Sequence, residues 1–148
     1  MYQRQIKDVM QRSLLTCLPT TPIEVVARRL TDYHVHALVV VDDDGYAIGV
    51  VSQTDLLLSH CRTESDLAEP CTAGDIMTSN VMTCTPESTI FEAVTTMTRN
   101  HIHRLVVVKA SSPKLYPLGI VSMTDIIRYL LQDSPEPASF TSESKYQN

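Results

Sequence analysis

His101-Ile102-His103-Arg104-Leu105-Val106-Val107-Val108 decides the fold, because His34-Val35-His36-Ala37-Leu38-Val39-Val40-Val41 matches it at every position but two. Worked outward, residues 8–41 align with 75–108 at a constant offset of 67, with 13 identities in 34 positions. Asp8/Asp75, Met10/Met77, Thr16-Cys17/Thr83-Cys84 and Pro19/Pro86 are among them. The match resumes at an offset of 70, where Gly49-Val50-Val51-Ser52-Gln53-Thr54-Asp55 lies over Gly119-Ile120-Val121-Ser122-Met123-Thr124-Asp125. A duplication explains this, and the extra residues in the proline-bearing stretch Lys109 to Leu118 read as a longer hairpin loop in the second copy.

Periodicity assigns the elements of each copy. Ile23, Val26, Ala27 and Leu30, and likewise Ile90, Ala93, Val94 and Met97, recur at the spacing of one helix face. Thr21 is the expected N-cap of the first such helix, with Pro22 at its first position and Glu24 completing a capping box, and Ser88 takes the cap in the second copy. Ala37 to Val41 and Leu105 to Val108 are β-branched runs, and Asp42-Asp43-Asp44-Gly45 turns the chain into a second strand, Ala47 to Ser52. A short first strand falls near Leu14 to Cys17 and Val81 to Cys84, and a second helix begins at Thr54-Asp55 and Thr124-Asp125. The expected fold is thus α/β (α+β), two pseudo-twofold-related β-α-β-β-α repeats. Neither, at about 55 residues, can bury its apolar faces alone, so the two pack as one module. The repeats are expected at 7–58 and 74–131, joined by a linker at 59–73, with a disordered tail at 132–148.

Composition narrows the function. A chain of 148 residues, 43% hydrophobic and 20% charged, has the make-up of a soluble globular domain, and its longest apolar run, Ala37 to Val41, is far too short for a membrane helix. With no apolar stretch after Met1-Tyr2-Gln3-Arg4-Gln5, a cytoplasmic protein is expected. Net charge −5 supplies no field for nucleic acid or anionic membrane. Cys17, Cys61, Cys71 and Cys84 form no C-x-x-C pair and read as reduced thiols. No nucleophile elbow, P-loop or zinc-protease motif is present, so no catalytic residue and no enzyme activity are assigned. Four glycines in the whole chain argue for phosphate binding by side chains and helix starts rather than by a glycine-rich cradle.

The element order, the Asp-aliphatic-Met opening of each copy and the Gly-aliphatic-aliphatic-Ser-x-x-Asp segment resemble a tandem pair of cystathionine-β-synthase (CBS) domains, a Bateman module, over roughly residues 7 to 131. The stretch Ile102 to Val108 is similar to the nucleotide-binding repeats of AMP-activated protein kinase γ subunits. The resemblance implies a regulatory module that binds an adenosine-bearing ligand in clefts between the copies; AMP, ADP or ATP is the expected one, and S-adenosylmethionine, NAD and cyclic dinucleotides offer the same ribose and phosphate groups. It also implies a homodimer in which two modules form a flat disc through their helices; a separately encoded target protein is a candidate partner that the sequence does not identify. No cofactor is required beyond that nucleotide as regulatory ligand.

The residues themselves are consistent with such a site. Asp55 and Asp125, at helix starts, can each accept hydrogen bonds from the vicinal hydroxyls of a ribose. Ser52, Thr54, Ser122 and Thr124 can donate to a phosphate beside free helix N–H groups. Ser-x-x-Asp is equally a capping box serving only its own helix, and the motif leaves both roles open. By resemblance, His103 and Arg104 face a phosphate, where a guanidinium offers a planar fork of donors. Their counterparts are His36 and Ala37, so the cleft using Asp125 and Arg104 is expected to differ from the one using Asp55. Val50, Ile120, Met10 and Met77 are the expected adenine wall, again by resemblance.

His34/His36 and His101/His103 place imidazoles at alternate positions, which in a strand share a face. Neither acid nor cysteine accompanies them and duplication alone repeats the pattern, so no metal is assigned. The rival reading is a protein-interaction or thiol-redox adaptor with vestigial nucleotide clefts.

Overall fold

Ala37–Val41 is buried at every residue, so both faces of that strand must be covered. The computed structural model describes residues 4–60 and 71–132. A 3-10 turn, Ile6–Asp8, leads into the first repeat: β1 (Thr16–Cys17), α1 (Ile23–Asp32), β2 (Ala37–Val41), β3 (Ala47–Ser52) and α2 (Gln53–His60). A short helix, α3 (Ala73–Ile76), leads into the second: β4 (Thr83–Cys84), α4 (Ile90–Arg99), β5 (Arg104–Val108), β6 (Pro117–Ser122) and α5 (Met123–Gln132). The result is the expected mixed α/β architecture. Each sheet has three strands, ordered β1-β2-β3 and β4-β5-β6, with the first pair parallel and the second antiparallel. The hairpin loops are 42–46 and 109–116, so the inserted residues do lengthen the second.

Alternation explains the continuous burial of the middle strands. Leu38 and Val40 face the first repeat's own helices with Val26, Leu30 and Val51, and Leu105 and Val107 do the same with Ile90, Met97 and Val121. Val39, Val41, Val106 and Val108 point the other way and meet in a third cluster, where the two sheets pack together. Each such valine or leucine contributes about 1.5–3 kcal/mol by leaving water, and for Val39, Val41, Val106 and Val108 that burial requires the other repeat.

The cores are also exchanged. Ile6 and Met10 belong to the core of the second repeat, while Ala73 sits in that of the first, with Ile76 and Met77 against it. Backbone bonds fix the exchange: Gln11 pairs with Ile120 in both directions (2.8 and 3.0 Å), and Thr78 pairs with Val50 (2.9 and 3.0 Å). Gly119 and Gly49 allow these crossings, since a Cβ on Gly119 would press on the Gln11 carbonyl and Met10, and one on Gly49 would press on Met77. The segment assigned to a linker therefore begins inside α2 and ends on the partner repeat, with Thr72 bridged to Pro22. Its remainder, including Cys61, Glu64, Asp66, Glu69 and Pro70, and the tail from residue 133 onward lie outside the described residues.

The N-caps fall one residue later than expected, at Pro22 and Thr89. Thr21 and Ser88 instead accept hydrogen bonds from the N–H groups of Leu18 and Thr85, closing the turn before each helix. Thr89 then forms the capping box with Glu92, while α1 starts at Pro22 without a side-chain cap. Among the described residues no helix is long and apolar enough to cross a membrane.

Candidate functional site

Because β3 and β6 end in serine and each runs straight into a helix, Ser52 and Ser122 become caps. The Asp55 Oδ2 accepts from the Ser52 backbone N–H (2.8 Å) and hydroxyl (2.9 Å), while the Asp55 N–H donates to Ser52 Oγ (3.2 Å). Asp125 and Ser122 repeat the arrangement at 2.9, 2.8 and 3.1 Å. Both carboxylates thus serve their own helices, and each has a second oxygen left for other work.

The second oxygens differ. Asp125 Oδ1 accepts from Gln11 Nε2 (3.1 Å) and lies 3.9 Å from the Arg128 guanidinium, whereas Asp55 Oδ1 accepts no hydrogen bond from a described residue.

Two cavities lie between the repeats, related by the internal symmetry. One, of about 370 Å³, is bordered by Ser52, Thr54 and Asp55 of the first repeat and by His101, His103 and Arg104 of the second, with Val50, Ile120, Val81 and Met82 on its apolar side. The other, of about 420 Å³, joins Ser122, Thr124 and Asp125 to His34, His36 and Ala37, with Ile120 and Leu15 as apolar lining. His103, Arg104 and Ile120 border both.

Arg104 was grouped with Asp125 from the sequence. It borders that cavity, but the charge acting on it is that of Asp55, across the repeat boundary. Burial pulls the half-buried guanidinium below its ordinary pKa, and Asp55 opposes that fall. Among the described residues Arg104 makes no salt bridge and no side-chain hydrogen bond. Arg104 is thus a partly desolvated cation at the edge of both cavities, with no ion-pair partner among the described residues.

Met10 and Met77 border neither cavity. They pack under Gly119 and Gly49 in the exchanged cores, and of the four residues expected to flank adenine only Val50 and Ile120 border a cavity. The histidine pattern is corrected too. His34 and His101 do not lie in strands but follow α1 and α4 with left-handed backbones (φ 54° and 53°). There Val35 N–H bonds to Leu30 O and Ile102 N–H to Met97 O, so the chain reverses as glycine usually lets it do. Among the described residues no group of three or more histidine, cysteine and acidic side chains is placed to hold a metal. Gln11, Thr78 and Arg128, which the sequence did not single out, line the cavities. Only their positions in the repeat alignment, opposite unlike residues, could have pointed to them.

Burial raises the Cys17 thiol, against a smaller lowering by Arg29, and pushes Cys84 up to about 12. Cys17 and Cys84 are free thiols.

The CBS domain family matches residues 6–59 and 73–132. The chain is 28% identical over 125 residues to the γ-3 subunit of 5′-AMP-activated protein kinase from Sus scrofa, covering 81% of this chain and 24% of that protein. It therefore spans about a quarter of the length of the first curated relatives it matches. A solved structure of CBSX2 in complex with AMP superposes with a TM-score of 0.71 at 25% identity, covering 86% of this chain and 96% of that one. An uncharacterized conserved protein from Pyrococcus horikoshii has the same fold, with a TM-score of 0.75 at 21% identity over 94% of this chain and 99% of that one.

Proposed function

This chain belongs to the CBS domain family, and on that premise we propose that it is a regulatory, non-catalytic module that binds an adenine nucleotide in the Asp55–Arg104 cavity and transmits occupancy to a partner protein. Asp55 Oδ1 accepts from the ribose hydroxyls, while Arg104, His103 and Thr54 take the phosphate; Ser52, grouped with the phosphate ligands from the sequence, gives its one hydroxyl proton to Asp55 Oδ2 and stays a cap. Val50 and Ile120 flank the base. In the second cavity Asp125, Thr124 and His36 are the corresponding ligand groups, and Ser122, whose hydroxyl proton goes to Asp125 Oδ2, stays a cap.

The observation that carries this reading is the half-buried Arg104, without a salt bridge among the described residues, facing Asp55 across a cavity of about 370 Å³. That volume is within the range of small-ligand pockets. The likeness to an AMP-bound CBS structure favours AMP among the nucleotides. A ligand held by both repeats stabilises one relative arrangement of them by its differential affinity for that arrangement, which is how occupancy is read by whatever packs on the module.

Leu57, Ile127 and Leu131 are 65%, 57% and 66% exposed on α2 and α5, and Leu57 and Ile127 are repeat equivalents. This apolar surface supports a homodimer formed through the helices, the proposed working form in the cytoplasm. A thiol-redox role for Cys17 and Cys84 is disfavoured, since burial raises both thiols above their ordinary pKa and so keeps them protonated at neutral pH.

Thermal unfolding with AMP, ADP and ATP tests the proposal. A ligand confined to the native state stabilises by about 2.7 kcal/mol at a hundredfold excess over its Kd. One nucleotide should raise the transition, and Asp55→Ala should abolish the rise. No shift with any of the three, in protein that unfolds cooperatively, refutes the reading.

A further inference from the structure

We propose that Gln11 makes the two cavities unequal, holding the Asp125 cavity as the weaker ribose site. This rests on the reading of Asp55 and Asp125 as ribose-binding carboxylates. Each commits Oδ2 to its own helix cap, so the competition is for Oδ1. At Asp55 that oxygen accepts no hydrogen bond from a described residue. At Asp125 the Gln11 amide already donates to it at 3.1 Å, Arg128 approaches to 3.9 Å, and the side chain is left only 9% exposed.

The amide is held there by the exchanged segment. Gln11 N–H donates to Ile120 O (2.8 Å) and Ile120 N–H donates to Gln11 O (3.0 Å), which fixes the backbone from which the side chain reaches Asp125. Thr78 occupies the same place in the other repeat, with the same two-way pairing to Val50 (2.9 and 3.0 Å), yet makes no side-chain hydrogen bond with a described residue. A threonine hydroxyl is too short to do what the glutamine amide does. The crossings are therefore alike in backbone and opposite in effect: one covers its carboxylate and the other leaves it open. A ribose entering the Asp125 cavity must first displace a donor from a charged acceptor, which lowers affinity by about tenfold.

Isothermal titration with AMP as the probe, on the full chain and on Gln11→Thr, Thr78→Gln and Asp55→Ala, tests this. The wild type should show one strong site and a second weaker or undetected one, with Asp55→Ala removing the strong site. Gln11→Thr should narrow the gap between the two affinities about tenfold, or bring a second site into range. Thr78→Gln should weaken the strong site. Two equal sites in the wild type, or a gap unchanged in Gln11→Thr protein of native circular dichroism, overturns the role of Gln11. Strong binding that survives Asp55→Ala overturns instead the ribose reading beneath it.

Discussion

Ala37 and Arg104 occupy the same position in the two repeats: each opens the middle strand of its sheet and pairs in register with the serine, Ser52 or Ser122, that ends the next strand. At one position a small side chain is buried, and at the other a guanidinium is half-buried beside a cavity and faces the Asp55 of the other repeat. The duplicated backbone thus presents two symmetry-related clefts, of about 420 and 370 Å³, with different chemistry.

Arg104 gives the sharpest separation of binding from folding. Removing a desolvated cation that has no salt bridge among the described residues should leave the urea midpoint of Arg104→Ala unchanged or higher. AMP affinity should fall about 10- to 100-fold in the same variant. Arg104→Lys should restore only part of it, because an ammonium lacks the planar fork. A fall in stability equal to the loss in binding would make Arg104 a structural residue.

The capping serines behave in the opposite way. Ser52→Ala and Ser122→Ala each delete a reciprocal cap and should each cost about 1 kcal/mol in urea unfolding without ligand. Their effects should add, since the caps share no partner.

Cys84 predicts an alkaline limb in stability. Burial raises its pKa from 9.0 to about 12, so the unfolded chain loses the thiol proton first. The unfolded state then binds fewer protons than the native state, and stability, unaffected by this group below pH 9, falls as pH rises toward 12. Cys84→Ala should flatten that limb in urea midpoints measured across the range. An equally steep limb in the variant would assign the effect to other groups.

At the two crossing glycines the cost of a methyl group should differ. Gly119→Ala meets the Gln11 backbone carbonyl, which cannot yield without breaking the Gln11–Ile120 bridge, whereas Gly49→Ala meets only the flexible Met77 side chain. Gly119→Ala should be the more destabilising, by about 1–3 kcal/mol against wild type. Chemical denaturation of the two variants checks the order.

Much of this was legible in the sequence because a duplicated pattern reports the same elements twice. The β-branched runs Ala37 to Val41 and Leu105 to Val108 predicted the middle strands, and the spacing of Ile23, Val26 and Leu30 predicted α1. The exchange of Met10 and Met77 between cores was not legible, since period and propensity say which face is apolar but not which sheet it will meet. The helix caps slipped by one residue because Thr21 and Ser88 have two turns to serve and nothing local ranks them. Asp55, Asp125 and Arg104 were singled out from motif and resemblance, and each borders a cavity between the repeats. Gln11 was not, because its effect depends on a contact 114 residues away in sequence.

The central claim, that Asp55 and Arg104 from opposite repeats form one nucleotide site, is tested most directly by isothermal titration of AMP into wild-type protein, Asp55→Ala, Arg104→Ala and the double variant. The account predicts that each single variant loses the strong site and that the double loses little more, because both groups hold one ligand. Strong AMP binding retained in both single variants would contradict it.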